Sequence, residues 1–340
     1  MDNGAKLVPV PLSDSVAHRG STTGLGNHYS EPCLMCGHRS VQQWLRAPDR
    51  LHGREEEYTL LRCPSCSLVW LSQPPMPEEM HLHYSDAYHK LISGAGDNPK
   101  RWNERKADLA QYKDSGALLD LGCSSGSFLN SIRSKSWSLY GIEMSPDEAR
   151  RAEERTGAQV FVGSVLDAPF AAGSFDVITC FDVLEHLYEP LRVMAKVEQW
   201  LKPGGIFYVQ VPNIDSAEAH IFGTYWHGLE LPRHLFHYSP DSLRTLAEMA
   251  GLRGVLLETR RNQAVGTSLR YVCDDAFRVL GYRRTPVAYR QEASLPWRAA
   301  RKLVRLTVLR CLLALAPLAG GGEAIHAIFQ KDSAGSGVGF

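Results

Sequence analysis

The sequence predicts an α/β protein, a doubly wound and mostly parallel seven-stranded sheet preceded by a small four-cysteine ribbon. Three observations carry this reading. From residue 117 onward, short apolar runs alternate with helical stretches, the pattern of parallel strands covered by helices on both faces. A glycine-rich turn, Gly122 to Gly126, stands where the first apolar run meets its helix. Upstream lie two Cys-x-x-Cys pairs, Cys33 with Cys36 and Cys63 with Cys66.

Composition bounds the function. The chain has 340 residues, 44% hydrophobic and 22% charged, ordinary values for a globular protein able to bury a full core. Lys+Arg and Asp+Glu both number 37, so no net field draws the chain to phosphate backbones and nucleic acid is disfavoured as a partner. The N-terminus has no apolar run of signal-peptide length, and no uncharged apolar stretch of membrane-spanning length occurs, so cytoplasmic residence is expected. In a reducing compartment the eight cysteines do not make a disulfide framework, and the paired ones read as metal ligands.

The elements follow in order. Residues 1–28, rich in Ser, Gly, Pro and Thr, read as a flexible tail. Residues 29–75 form the ribbon: the 26 residues between its cysteine pairs suit an extended hairpin, and four thiolates make a tetrahedral, structural Zn²⁺ site with no open position for catalysis. Prolines at 74, 75 and 77 break the chain before a helical connector over 76–112. Strands are expected at 117–121, 138–142, 159–162, 175–181, 206–211 and 252–258 within a domain spanning 113–332. A helix over 146–156 is opened by Ser145 as cap and Pro146 at its first position. A basic helical insertion over 262–318 precedes a last strand at 323–329 that returns to the same sheet, and 333–340 form a second tail.

Chemistry is concentrated at strand ends. Gly122 and Gly126 let the backbone approach a ligand at the carboxyl edge, where open α/β sheets bind cofactors. Asp120 suits a cationic amino-acid ligand, whereas dinucleotide sites hold a pyrophosphate on bare amides and a helix N-terminus. Glu143, twenty-three positions later, can accept hydrogen bonds from two ribose hydroxyls, with Met144 against an adenine face. After the third strand, Gly163 is followed by Ser164, Val165 and, a turn later, Asp167. Asp182, Glu185 and His186 follow the fourth strand, and Lys202-Pro-Gly-Gly205 precedes the fifth.

This order of landmarks resembles the class I methyltransferases that use S-adenosylmethionine (SAM), a family with a Rossmann-like sheet. The ribbon, with Arg62-Cys-Pro-Ser-Cys-Ser-Leu-Val-Trp70 and the tyrosines after it, is similar to bacterial methyltransferases of glycan and natural-product pathways. The resemblance implies SAM as cofactor, bound by Asp120, Gly122, Cys123, Gly126, Glu143, Met144, Ser164, Val165 and Asp182, with Ser164 or Asp167 meeting the adenine amine. It implies a small-molecule or glycan acceptor, foremost a sugar or secondary-metabolite hydroxyl. One departure is Ser124, which stands where the family pattern has its middle glycine.

Methyl transfer from a sulfonium is a direct displacement that needs alignment, and a hydroxyl acceptor additionally needs a base. His186 at the sheet edge suits that task, with Glu185 either orienting its ring or binding a divalent ion, as counterparts are thought to do in similar small-molecule O-methyltransferases. A second cluster, residues 225–238, should leave the same edge as a long loop carrying His234 and His237 as bases or substrate ligands. Against these stand a helix-capping pair, a three-histidine metal site and simple packing of histidines. A helix through 297–318 would place Arg298, Arg301 and Arg305 on one face, suited to peripheral contact with a membrane surface or, with greater weight, to packing on the sheet or a second subunit. Two other functions compete: an assembly subunit whose sheet binds cofactor without turnover, and an RNA or protein methyltransferase. Zero net charge and the lack of an Asn/Asp-Pro-Pro-Tyr tetrapeptide count against the latter.

Overall fold

The computed structural model describes residues 32–85, 88, 98–261, 265–279 and 321–333. The two cysteine knuckles bracket an antiparallel hairpin, β1 (Gln42–Pro48) and β2 (Glu57–Arg62), to which β3 (Val69–Leu71) adds. A short 3₁₀ turn at Met80–His83 and a helix, α1 (Pro99–Ala110), lead into the larger unit.

That unit begins with β4 (Gly116–Leu121), whose last four residues are all buried, as expected of a strand covered on both faces. It continues through α2 (Ser127–Ile132), β5 (Trp137–Glu143), α3 (Pro146–Thr156), β6 (Gln159–Val162), β7 (Phe175–Phe181), α4 (Pro190–Trp200) and β8 (Leu201–Pro212). Then come α5 (Ala217–Phe222), β9 (Phe236–His237), α6 (Pro240–Met249), β10 (Leu252–Arg260), α7 (Val265–Val279) and β11 (Ala324–Lys331). Helix α3 starts and stops on the expected chemistry. The Ser145 side chain accepts from the Glu148 amide, Pro146 occupies the first turn, and Gly157 ends the helix at φ +73°.

The seven strands lie in the order β10-β11-β8-β7-β4-β5-β6, with β11 antiparallel to both neighbours and the others parallel to one another. The seven-stranded, mostly parallel sheet read from the sequence is therefore present, including the return of the last strand. Chain direction across the sheet reverses at β4, which has β5 on one side and β7 on the other. This is the switch point at which a crevice opens beyond the carboxyl ends of the strands.

The ribbon is joined to the sheet more closely than its sequence suggests. β9 pairs with β3 in the register Val69 to His237 and Trp70 to Phe236, making a four-stranded sheet β1-β2-β3-β9. Leu60, Leu61 and Trp70 of the ribbon share one apolar cluster with Leu184 and Leu235 of the larger unit. The expected long loop over 225–238 is thus two 3₁₀ turns, Gly223–Tyr225 and His227–Leu229, followed by this strand. A strand of two residues has no periodic signal of its own and forms because a partner from far along the chain supplies its hydrogen bonds.

The tails at 1–28 and 334–340 and the basic helix expected over 297–318, with Arg298, Arg301 and Arg305, lie outside the described residues. The insertion opens as α7. Among the described residues, no helix is long and apolar enough to cross a membrane.

Candidate active site

The glycine turn after β4 is shaped by contacts that leave no room for a side chain. Gly122 sits at φ +68°, and a Cβ there would lie 2.5 Å from a methyl of Val183. Gly126, at φ +75°, heads α2 against the backbone of Ala152, 3.0 Å from where its Cβ would be. Ser124 takes the left-handed conformation at φ +47°, unusual for a residue with a Cβ. Its amide donates to Glu143 Oε2 at 2.9 Å, so a local hydrogen bond helps offset the strain of serine at the family's glycine position. Glu143 Oε1 accepts from the Ser145 amide at 2.9 Å, and the carboxylate thus ties the first turn to the second. Met144 beside it is 69% exposed.

Around this turn the other expected residues are distinct in environment. Cys123 is buried, its sulfur 2.6 Å from where a Cβ on Gly141 would be. The Ser164 hydroxyl accepts from the Leu166 amide at 3.2 Å, Val165 is buried, and Asp167 is exposed. Asp120 is buried under the turn, with the Thr179 hydroxyl donating to it at 2.6 Å; burial pushes its pKa up to about 7. Asp182, at φ +57°, accepts from Arg101 and, at 2.8 Å, from the Gln210 amide. Burial works against its charge, but Arg101 and Arg105 outweigh that and hold its carboxyl below the usual range. Both arginines come from α1 and neither stood out in the sequence, although their four-residue spacing puts them on one helix face ahead of the glycine strand.

Beyond β7 and β8 the two histidine segments converge. The His186 and His234 rings meet edge to face with centroids 4.7 Å apart. Nδ1 of His186 lies 3.0 Å from the Arg233 carbonyl and 3.1 Å from the Tyr84 hydroxyl, and Nδ1 of His234 lies 2.9 Å from the Gly228 carbonyl. Burial lowers the pKa of both, so both are neutral near pH 7 and able to take a proton. Glu185 faces them: one carboxylate oxygen and one nitrogen from each ring lie within 4.8 Å of one another. Both Glu185 oxygens are buried without a hydrogen-bond partner among the described residues, and burial pushes its pKa well above the usual range. His237 stands back, its ring 6.1 Å from that of His234 and its Nε2 3.0 Å from the Leu229 carbonyl. Tyr84 and Glu230, whose Oε2 is 3.7 Å from His234 Nε2, complete this wall and were not anticipated.

The four ribbon cysteines form a second cluster, with Sγ atoms 3.6 Å apart for Cys33 and Cys66 and 3.5 Å apart for Cys36 and Cys63. All four sulfurs lie within 4.8 Å of one another. A tetrahedron with Zn–S arms of about 2.3 Å has edges of about 3.8 Å, so the donor set fits that ion.

A sheet of this order with a glycine turn at its switch point is a Rossmann-like fold of the kind that binds cofactors there. A family model described as a methyltransferase domain matches residues 95–257. The ubiquinone biosynthesis O-methyltransferase of Xanthomonas axonopodis pv. citri (strain 306) is 32% identical over 173 residues, 46% of this chain and 72% of that protein. The protein of the same name from Thiobacillus denitrificans is 30% identical over 164 residues, 45% of this chain and 69% of its own. A solved SAM dependent methyltransferase from Archaeoglobus fulgidus aligns over 72% of this chain and 100% of its own, with a TM-score of 0.49 at 15% identity. The chain belongs to the SAM-dependent methyltransferases.

Proposed function

We propose that the chain transfers the methyl group of SAM to a hydroxyl of a small polar acceptor, a sugar or secondary metabolite, with His186 or His234 taking the hydroxyl proton. The observation that carries this reading is a pair of neutral histidines, His186 half-buried after β7 and His234 buried ahead of β9, whose rings meet edge to face. Oxygen as the methylated atom is supported by relatives named O-methyltransferases. When bound, SAM supplies an electrophilic methyl on a sulfonium. Asp120 would meet its ammonium group, Gly122, Cys123 and Gly126 its approach to the backbone, and Glu143 its ribose. Met144, Ser164 and Val165 would border the adenine, and Asp182, held by Arg101, the amino-acid end.

The orphaned carboxylate of Glu185 favours a second reading, in which Glu185, His186 and His234 hold a divalent cation that binds the acceptor oxygen. The two readings part on chelation: the base reading tolerates a strong chelator that leaves the ribbon loaded, and the cation reading does not.

In the ribbon, Cys33, Cys36, Cys63 and Cys66 hold a structural zinc on this reading, which suits a reducing compartment such as the cytoplasm. Metal analysis should return about one zinc per chain; a folded, active preparation with almost none overturns it. The function itself is tested with isotopically labelled SAM and a panel of hydroxylated sugars and phenols, following label transfer. Methyl on an acceptor oxygen supports it. Methyl on nitrogen or carbon overturns the acceptor class, and cofactor binding without turnover on any acceptor favours an assembly role.

A further inference from the structure

A guanidinium with no exposed surface must find its counter-charges inside the protein. Arg233 is such a group, and so is Asp49, in the turn after β1, both fully buried. Nη1 and Nη2 of Arg233 donate to the two oxygens of Asp49, each at 3.3 Å, a two-pronged contact across 184 residues of chain. The same guanidinium donates to the His83 carbonyl at 3.2 Å and to Glu230 at 3.3 Å. His52, on the ribbon side, lies 2.9 Å from the second face of Asp49, Nδ1 to Oδ2. The main chain just after Arg233 is also held: the Leu71 amide donates to the Leu235 carbonyl and the Leu235 amide to the Glu185 carbonyl, both at 2.8 Å. The ribbon therefore fixes where the Arg233 carbonyl sits.

That carbonyl is one of two neighbours competing for Nδ1 of His186. A carbonyl can only accept, so at 3.0 Å it requires a proton on Nδ1 and leaves Nε2 with the lone pair a base needs. The Tyr84 hydroxyl, at 3.1 Å from the same nitrogen, can donate to it and thereby drive the proton to Nε2, where it abolishes that lone pair. We infer that the Asp49–Arg233 pair is a positioning device through which the ribbon holds His186 in its Nδ1–H form. The inference rests on His186 being the base, but its physical content, the choice of tautomer, can be measured without any acceptor.

The experiment uses the full, metal-loaded chain labelled with ¹⁵N-histidine, with the His186 signals assigned by their loss in His186→Gln. Long-range ¹⁵N–¹H correlations report which ring nitrogen carries the proton. Wild type should show Nδ1–H. Asp49→Asn, which keeps the shape and removes the charge, should shift His186 toward Nε2–H while metal content and SAM affinity stay within about twofold. Adding Tyr84→Phe to Asp49→Asn removes the competing donor and should restore Nδ1–H, a rescue that general damage to the fold would not give. Arg233→Lys, which loses the fork but keeps a charge, serves if Asp49→Asn does not fold, and should shift the tautomer in the same direction. An unchanged Nδ1–H form in Asp49→Asn or Arg233→Lys, or a shift that Tyr84→Phe leaves in place, overturns the inference. Failure of the base assignment has a different signature: His186→Gln would then leave turnover of an accepted substrate unchanged, whatever the tautomer.

Discussion

The proposed cofactor side and the proposed acceptor side of the site are built by different means. On the cofactor side, groups that act together lie close in sequence or at the ends of neighbouring strands. Ser124, Glu143 and Ser145 span 22 positions and are joined by two backbone-to-carboxylate hydrogen bonds. On the acceptor side, His186, Arg233, Tyr84 and Asp49 come from four segments, and the shortest hydrogen-bonded step between them bridges 47 residues. The first side is a turn geometry that a short motif can encode. The second is a tertiary assembly whose parts find one another only once the ribbon has docked. Mutations on the two sides should therefore separate cofactor binding from turnover.

The largest expected effect lies on the acceptor side. With a hydroxyl acceptor, His186→Ala should lower kcat by about 10²- to 10⁴-fold, the usual span for losing a general base, while SAM affinity by calorimetry stays nearly constant. His234→Ala should lower kcat less and raise acceptor KM, since His234 belongs to the segment that walls the site. A His186 variant that loses SAM binding in step with turnover would erase the division between the two sides.

The same division explains what could be read from the sequence. The sheet, its seven strands and the return of the last one were legible because each strand is an apolar run bounded by turn residues, and the Ser145 cap with Pro146 is purely local. The placement of Glu143 at the end of β5 and of His186 just after β7 was legible from the spacing of the strands. β9 was not, because two residues joined to a strand 166 positions away leave no periodic trace. Arg233 was not, since an arginine in a loop reads as solvated until Asp49 is found against it. Arg101 and Arg105 were hidden for a related reason: their helix docks on the crevice through charge, and a polar helix face looks like a surface.

A smaller effect is expected from Glu143→Ala. It removes the acceptor of two backbone amides and the proposed partner of the ribose hydroxyls, and should weaken SAM binding by about 1–3 kcal/mol, the scale of hydrogen bonds to a charged group. Turnover at saturating SAM should change far less. Titration of the variant with SAM and with S-adenosylhomocysteine checks this, and equal affinity for variant and wild type would mean that Glu143 serves only to join the two turns.

The mildest perturbation is a change of pH of one unit, and it tests whether Asp120 meets the ammonium group. Burial raises its folded pKa from the ordinary 3.8 to about 7. Unfolded, the carboxyl ionises near pH 4, so between there and pH 7 the unfolded chain releases a proton that the folded one keeps. The stability Asp120 contributes in acid is accordingly lost as the pH rises to about 7, and changes little above it. A cation placed against the carboxylate reverses the preference, because binding then selects the ionised form. SAM affinity should fall about tenfold per unit as the pH drops below about 7 and level off above it, with close to one proton released on binding at about pH 6. Calorimetry in buffers of different ionisation enthalpy measures both quantities. Asp120→Asn should flatten the pH dependence and bind SAM weakly throughout. An affinity that is level across this range in the wild type, with no proton release, would show that the carboxylate supports the glycine turn through Thr179 without touching the cofactor's charge.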